Sequence, residues 1–191
     1  MPNHSSQSGA TLIEAMISIL IMSIGLLGIA GLQINAIAYQ KSAWSTQRVA
    51  EVSTDFAERL RGNPTAAKNG SYVYNSSYAT STTATLSSHD CRTPSTYCST
   101  ASIAEDDITA LLTKARTILP GGTAQVEGSY NTGFILTVMY RDKDFINPTT
   151  GAAMASATCS ASTTGVDWRN CCPTAAAVPD GVRCRRLTIL P

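Results

Sequence analysis

The segment Ser8-Gly-Ala-Thr-Leu-Ile-Glu14 and the apolar run Ala15–Leu32 that follows it decide the fold of this chain. A polar leader ends at Gly9, one carboxylate stands at Glu14, and no further charged residue occurs before Lys41. The 26 uncharged residues that precede Lys41 give a helix of about 39 Å, which is enough to cross a hydrocarbon core of about 30 Å. The run therefore predicts a membrane-spanning helix with a single carboxylate at its entrance.

The helical periodicity continues beyond this apolar run. One face carries a stripe of four apolar residues, Val49, Val52, Phe56 and Leu60. Gly62 is suited to a left-handed terminating conformation, and Pro64 cannot continue the turn. The sequence therefore predicts one helix from Ala10 to Arg61, whose second half covers the sheet of the same protein.

Three glycines recur within the apolar run, at Gly25, Gly28 and Gly31. Small residues at such spacing let a second helix approach closely in lipid. Glycine is also simply common in membrane helices. Both interpretations remain open.

The charge composition argues against nucleic-acid binding. The 191 residues carry a formal net charge of +1, and the densest basic group is Arg183, Arg185 and Arg186. Phosphate neutralisation needs larger clusters of Lys and Arg, so we interpret these arginines as a solvated strand end.

All six cysteines follow the apolar run, at Cys91, Cys98, Cys159, Cys171, Cys172 and Cys184. An even count on one side of a membrane indicates disulfides in an oxidising compartment. There is no C-x-x-C pair and only two histidines, so we expect no metal and no cofactor.

Six cysteines permit fifteen pairings. Cys91–Cys98 is our prediction for the first bridge. Adjacent cysteines seldom bond to each other, so Cys171 and Cys172 should bond elsewhere, with Cys159 and Cys184 as partners.

The residues that follow the apolar run predict an α+β domain. Asn69–Thr100 is a polar stretch that predicts an irregular connection. A second helix is predicted over Ile103–Leu119, with the acidic trio Glu105, Asp106 and Asp107 in its first turn and Pro120-Gly-Gly122 as its stop. This trio has no partner histidine in the sequence pattern, so capping is favoured over a metal or acid–base site.

Strand patterns follow the second helix. Ala124–Glu127 is short, Gly133–Tyr140 is rich in β-branched and aromatic residues and should be the central strand, and Cys184–Leu190 should be the last strand. Ala152–Gly165 is small and polar, which predicts a surface loop.

Gly9 to Glu14, together with the apolar helix, resemble the class III signal of type IV pilins and of type II secretion pseudopilins. The resemblance implies that a prepilin peptidase removes residues 1–9 by cutting between Gly9 and Ala10. It implies methylation of the new amino terminus at Ala10. Glu14 would then be the fifth residue of the mature chain.

A second resemblance narrows the branch. Ile118-Leu-Pro-Gly-Gly122 and the strand end Val138-Met-Tyr-Arg-Asp142 are similar to the C-terminal region of PilV-type minor pilins. The resemblance implies a pilin fold, in which the long N-terminal helix packs on a small antiparallel sheet. It also divides the chain into a leader (1–9), a transmembrane and assembly helix (10–40) and a periplasmic globular domain (41–191).

The same resemblance implies a non-enzymatic subunit that primes pilus assembly and sits at or near the fibre tip, with consequent roles in twitching motility and adhesion. Its implied partners are other minor pilins and the major pilin, the prepilin peptidase, the inner-membrane assembly platform and a tip adhesin. The chain would reside in the bacterial inner membrane with its N-terminus in the cytoplasm, and then in the extracellular pilus.

The sequence departs from the family pattern in three places. The leader has no Lys or Arg, whereas Lys41 and Arg48 lie on the expected periplasmic side, opposite to the positive-inside rule. Ala10 stands where phenylalanine or methionine is usual, and no proline interrupts the membrane helix. Orientation is therefore inferred from the motif rather than from charge.

Glu14 is costly to desolvate, as is a new α-ammonium at Ala10, so the two groups favour pairing between neighbouring helices. The alternative is that Glu14 only complements the positive end of its own helix. For the whole chain, the alternatives are a minor pseudopilin of type II secretion and a bitopic periplasmic enzyme. The enzyme would use His89-Asp90-Cys91, but a catalytic trio is recognised by spatial roles, not by adjacency.

Overall fold

The structure, a computed structural model, describes residues 11–84, 89, 91 and 97–191, without the side chains of residues 38, 41 and 42. Contacts divide the chain into two compact units, Met1–Trp44 and Ser45–Pro191. The first contains the apolar run, and the second contains the α+β domain. The predicted fold class, an α+β pilin fold with a long N-terminal helix, a small antiparallel sheet and disulfides, is confirmed.

The first helix, α1, extends over Leu12–Gly62, close to the predicted bounds. Gly62 lies inside the helix and does not adopt a positive φ, so its predicted terminating role is wrong. The helix ends instead at Asn63, whose side chain accepts a hydrogen bond from Ala66 N and caps α2, Pro64–Lys68. Asn63 is favoured there because its amide can also donate, here to Thr100 O at 2.8 Å.

Three antiparallel strands form the sheet among the described residues: β1 (Thr123–Ser129), β2 (Gly133–Arg141) and β3 (Val182–Ile189). Their order is β1-β2-β3, so the strand rich in β-branched and aromatic residues is central, as predicted. The outer two strands begin earlier than predicted, because Thr123 and Val182 pair with Met139 and Arg141 of β2.

The main core of the second unit lies between the sheet and two helices. The apolar stripe of α1 is buried, as predicted, with exposure of 4% at Val49 and 0% at Phe56. Phe56 meets Tyr72 edge to face, with ring centroids 5.9 Å apart. Most of the remaining core residues come from the second long helix and one face of the sheet: Ala104, Ile108, Leu111, Leu112, Ala115, Ala124, Val126, Phe134, Leu136, Val138, Tyr140 and Ile189.

Helix α4 extends over Thr100–Ile118 and begins three residues earlier than predicted. Ser99 caps it by accepting from Ser102 N, so the acidic trio lies beyond the first turn and does not cap the helix. The predicted stop is confirmed. Gly122 approaches the helix so closely that a Cβ there would lie 2.1 Å from Ala115 O, and only glycine fits.

The predicted irregular connection contains more structure than its composition indicates. Tyr78–Thr83 form a short helix, α3, capped by the Ser77 side chain. Tyr72 is fully buried in the main core. Tyr74 pairs with Val126 through two main-chain hydrogen bonds of 2.9 Å, which cover the outer edge of β1. Residues 85–88, 90 and 92–96 of this connection lie outside the described residues.

The stretch between β2 and β3 covers the other face of the sheet. It includes the predicted surface loop, then a helix that was not predicted, α5 (Gly165–Asn170), and a short 3-10 turn at Thr174–Ala176. A second apolar cluster forms beneath this stretch, from Tyr78, Met139, Cys172, Ala176, Val182 and Cys184.

Candidate functional site

The predicted assembly segment lies in the first unit. Leu12–Ile37 is long and apolar enough to cross a membrane, with a mean hydropathy of 2.3, and every residue from 11 to 37 is exposed. Such a surface is unstable in water, so it needs lipid or other apolar helices around it.

Glu14 lies in the first turn of α1 and is the acidic residue of that turn. The predicted cleavage residues Gly9 and Ala10 lie outside the described residues. Farther along, Ser18 and Ser23 donate hydrogen bonds to Glu14 O and Ile19 O, one turn back, at 2.8 and 2.7 Å. Because their hydroxyls are satisfied within the helix, these serines do not oppose burial in lipid, and Glu14 is the one formal charge of the segment.

The three glycines of the segment leave open space. A Cβ built at Gly25, Gly28 or Gly31 would meet no atom within 4 Å. Nothing among the described residues therefore blocks the close approach of another helix along this face.

A buried polar cluster joins α1 to α4 in the second unit, through Asp55, Arg59, Tyr72 and Asp107. Asp107 Oδ2 accepts from the Tyr72 hydroxyl at 2.7 Å, and its Oδ1 accepts from Arg59 at 3.3 Å. Arg59 also donates to Asp55 at 3.0 Å. Burial, followed by the hydrogen bond to Asp107, raises the pKa of Tyr72 well above its ordinary value. Burial lowers the pKa of Arg59, but Asp55 and Asp107 together outweigh it and raise that pKa.

The sequence pattern did not reveal this cluster. It depends on Tyr72, which comes from a polar connection, and on Asp107, which we interpreted as a cap. The one sequence signal was the aromatic pair Tyr72 and Tyr74 within that polar stretch. On the surface, two ion pairs extend the cluster: Lys114 lies 3.4 Å from Glu51, and Glu51 lies 2.8 Å from Arg48. The pKa of Glu51 is lowered, and the hydrogen bond from Arg48 is the largest cause.

Asp107→Asn should lower the free energy of unfolding by about 1–3 kcal/mol, because Arg59 loses a buried anionic partner while Tyr72 keeps an acceptor. Glu58→Gln, an exposed carboxylate on α1, is the control and should change it by less than about 0.5 kcal/mol. Urea unfolding of both variants in nonionic micelles measures the difference. Equal midpoints for the two variants would contradict a supporting role for Asp107.

Stability should fall as the pH rises above about 10. Tyrosines ionise there in the unfolded chain, while the raised pKa of Tyr72 keeps it protonated in the folded chain, so the folded state binds more protons. Tyr72→Phe should flatten this fall by up to about 1.4 kcal/mol per pH unit. Urea midpoints of the two proteins between pH 9 and 11 test this; parallel slopes would show that Tyr72 ionises normally.

The other two acidic residues of the trio hold the segment that carries Cys91. Asp106 accepts from the main-chain N–H groups of His89 and Cys91, at 2.7 and 3.3 Å, and Glu105 Oε2 lies 2.5 Å from His89 Nε2. Our expectation that the trio lacks a partner histidine is therefore wrong. The contacts fasten the segment to α4.

The six cysteines form three disulfides, Cys91–Cys98, Cys159–Cys171 and Cys172–Cys184. Cys91 therefore has no free thiolate, so it cannot be the nucleophile of a catalytic trio His89-Asp90-Cys91. Asp90 lies outside the described residues. Among the residues that the structure describes, no group of three or more His, Cys, Asp or Glu side chains could hold a metal ion.

The arginines of β3 are not the solvated strand end that we predicted. Arg186 is 9% exposed, stacks over the Trp168 ring at 4.5 Å and contacts Cys159 Sγ at 3.1 Å. Burial lowers its pKa, against the opposing charge of Glu127. Arg183 pairs with Asp142 at 2.7 Å. These side chains anchor the stretch that covers the sheet, because each contacts a residue of that stretch.

Two family models match the chain. Residues 4–30 match the prokaryotic N-terminal methylation motif, and residues 31–109 match the type IV pilin Tt1218 family. No curated protein and no solved structure gives a significant match. The methylation-motif match includes Gly9, Ala10 and Glu14.

With the fold, these matches support a type IV pilin, a class of structural subunits rather than enzymes. The motif and the exposed apolar helix suggest a membrane-anchored subunit that is assembled into a pilus. The motif also implies interaction with pilus components and with the processing peptidase.

Proposed function

We propose that this chain is a PilV-type minor pilin that primes type IV pilus assembly and is incorporated at or near the fibre tip. The observation that carries the proposal is the Gly9-to-Glu14 motif, which runs into the start of the exposed apolar segment Leu12–Ile37. A simple anchor has no use for a glycine five residues before a lone carboxylate, whereas a subunit that is cut and then bundled uses both.

The proposed processing removes residues 1–9 and leaves Ala10 as a methylated amino terminus. Residues 10–40 then serve as the membrane and assembly helix, and residues 41–191 as the periplasmic domain. This orientation places all six cysteines in an oxidising compartment, consistent with their three disulfides.

Glu14 is proposed to pair with the N-terminal ammonium of an adjacent subunit. Both charges are costly to hold at the edge of hydrocarbon, and pairing them removes that cost only when the helices lie at one axial offset. The open face at Gly25, Gly28 and Gly31 leaves room for the neighbouring helix. Other minor pilins, the major pilin and the assembly platform are the proposed partners, with a tip adhesin as a further one.

The proposal predicts a defined change in mass. Chain isolated from cells with the prepilin peptidase should lack residues 1–9 and carry one extra methyl group. Chain from peptidase-deficient cells should be full length. Mass spectrometry of the intact protein measures both, and an intact leader in both backgrounds would contradict the proposal.

A minor pseudopilin of type II secretion is the second candidate, because the same motif serves both systems. Deletion of the gene distinguishes them. Loss of surface pili with normal protein secretion supports the minor pilin, and loss of secretion with normal pili supports the pseudopilin.

A further inference from the structure

The three disulfides differ in how far their cysteines are buried. Cys172 and Cys184 are each 2% exposed, so an external thiol cannot reach that bridge without opening the fold. In the Cys159–Cys171 bridge, Cys171 is fully buried, whereas Cys159 is partly exposed and both of its neighbours in sequence are exposed. An external thiol can therefore approach this bridge from the Cys159 side.

A buried cation lies against both sulfurs of the Cys159–Cys171 bridge. One guanidinium nitrogen of Arg186, Nη1, lies 3.1 Å from Cys159 Sγ and 3.5 Å from Cys171 Sγ. The Arg186 side chain is held there by the Trp168 ring, over which it stacks at 4.5 Å, and by Glu127 at 3.8 Å. Because a guanidinium stabilises a nearby thiolate, a sulfur that leaves this bridge as a thiolate is stabilised by Arg186.

The Cys91–Cys98 bridge has a charge of the opposite sign beside it. Both of its cysteines are partly exposed, so exposure by itself would favour attack there. Asp106, however, accepts a hydrogen bond from Cys91 N at 3.3 Å, and its carboxylate opposes both an incoming thiolate and a leaving one. Charge therefore favours the Cys159–Cys171 bridge as the point of attack.

We propose that the Cys159–Cys171 bridge is a thiol–disulfide exchange site, at which an external thiolate attacks Cys159. The new bond joins the external sulfur to Cys159 Sγ. The bond between the two cysteines breaks, and its electron pair leaves on Cys171 as a thiolate beside Arg186. The external thiol is oxidised and Cys171 is reduced, so the step needs no other oxidant or reductant. The product is a mixed disulfide on Cys159.

The surrounding fold should survive this exchange. Main-chain hydrogen bonds join Cys159 N to Cys172 O at 2.9 Å and Cys172 N to Ala157 O at 2.8 Å. The Cys172–Cys184 bridge continues to tie the same stretch to β3. The Cys171 thiolate therefore stays close to the mixed disulfide and can displace the external thiol, which makes the exchange reversible.

The test treats the full chain in nonionic micelles with 2-mercaptoethanol, a small thiol, or with reduced thioredoxin, a protein dithiol. Acid quenching, alkylation and peptide mass spectrometry identify the bridge that has opened. With at least one reagent, Cys159–Cys171 should open at least about threefold faster than either other bridge, and that reagent identifies the source of the thiol. The 2-mercaptoethanol adduct should lie on Cys159 and the free thiol on Cys171. Earlier opening of another bridge with both reagents would overturn the proposal.

Arg186→Gln separates charge from packing, because the two roles predict opposite results. Loss of the cation should slow the opening of Cys159–Cys171 at least about threefold, whereas loosened packing would speed it. Arg186→Lys keeps the charge and should open at nearly the original rate. The opening rate of Cys91–Cys98 is the control for unfolding and should be the same in all three proteins. An unchanged or faster Cys159–Cys171 rate in Arg186→Gln contradicts the proposal.

A second measurement does not depend on the opening rate. In Cys159→Ser, Cys171 is the one free cysteine, and the ultraviolet absorbance of its thiolate reports its ionisation as the pH rises. Subtracting the double variant Cys159→Ser/Cys171→Ser removes the tyrosine absorbance. Adding Arg186→Gln should move the ionisation of Cys171 to higher pH by at least about one unit, because an adjacent opposite charge favours the ionised form. The same midpoint with and without Arg186 would overturn the proposal.

Discussion

Replacing Glu14 with Gln is expected to leave membrane insertion intact and to reduce incorporation into pili at least tenfold. An unpaired charge in the membrane costs about 2.5 kcal/mol or more, and about 1.4 kcal/mol corresponds to tenfold in an equilibrium. The neutral amide has no such cost to relieve, so it no longer selects the axial position of a neighbouring subunit. Immunoblots of sheared pili and of the membrane fraction from the same cells measure the two quantities.

Glu14→Asp is the matched control, because it keeps the carboxylate and shortens the side chain by one methylene. We expect it to retain most of the incorporation that Glu14→Gln loses. Normal incorporation of Glu14→Gln would mean that Glu14 only complements the positive end of its own helix. Equal loss in both variants would point to side-chain length rather than charge.

Phe56→Ala should lower the free energy of unfolding by about 3–5 kcal/mol. Phe56 is fully buried where α1 meets the sheet, and its removal also deprives Tyr72 of its edge-to-face partner. Because Tyr72 holds Asp107, loosening it should weaken the attachment of α4 as well. Urea unfolding followed by near-ultraviolet circular dichroism of the full chain in micelles measures the loss.

Phe56→Leu is the matched variant for this site, since it keeps much of the apolar volume. It should lose less than half as much stability as Phe56→Ala. Similar losses in the two variants would indicate that the aromatic ring, rather than the filled volume, is what this position requires.

The long helix and the central strand could be predicted because single periodic signals determine them. The α1 stripe needs only its spacing to define a buried face, and β2 needs only its run of β-branched and aromatic residues. The stop of α4 was equally local, since Pro120 and two glycines act on the residues next to them.

The polar cluster around Asp107 could not be predicted, because its partners are distant in sequence. Arg59, Tyr72 and Asp107 come from three segments that meet only after α1 and α4 pack together. A buried carboxylate and a first-turn carboxylate look the same in a sequence. Helix α5 was missed for a related reason: it is six residues long and buries no residue, so it has no apolar periodicity.

The candidate assembly segment was the most predictable part of the chain, because a helix that crosses lipid needs a long run of apolar residues, and such a run is visible in the sequence itself. The function of this segment is harder to predict from the sequence. The proposed partner of Glu14 is the amino terminus of an adjacent subunit, which exists only after processing and belongs to another chain.

The adjacent cysteines of the C-terminal stretch have a consequence for how this protein reaches one oxidised form. Cys171 bonds back to Cys159, and Cys172 bonds forward to Cys184 on β3. Neighbouring side chains on extended backbone point to opposite sides. If Cys171 bonded to Cys184 and Cys172 bonded to Cys159, the chain at this junction would have to shift by one residue. Trp168 would then turn away from Arg186, and a buried guanidinium would lose its stacking partner. Loss of this stacking therefore disfavours the exchanged pairing of the two bridges.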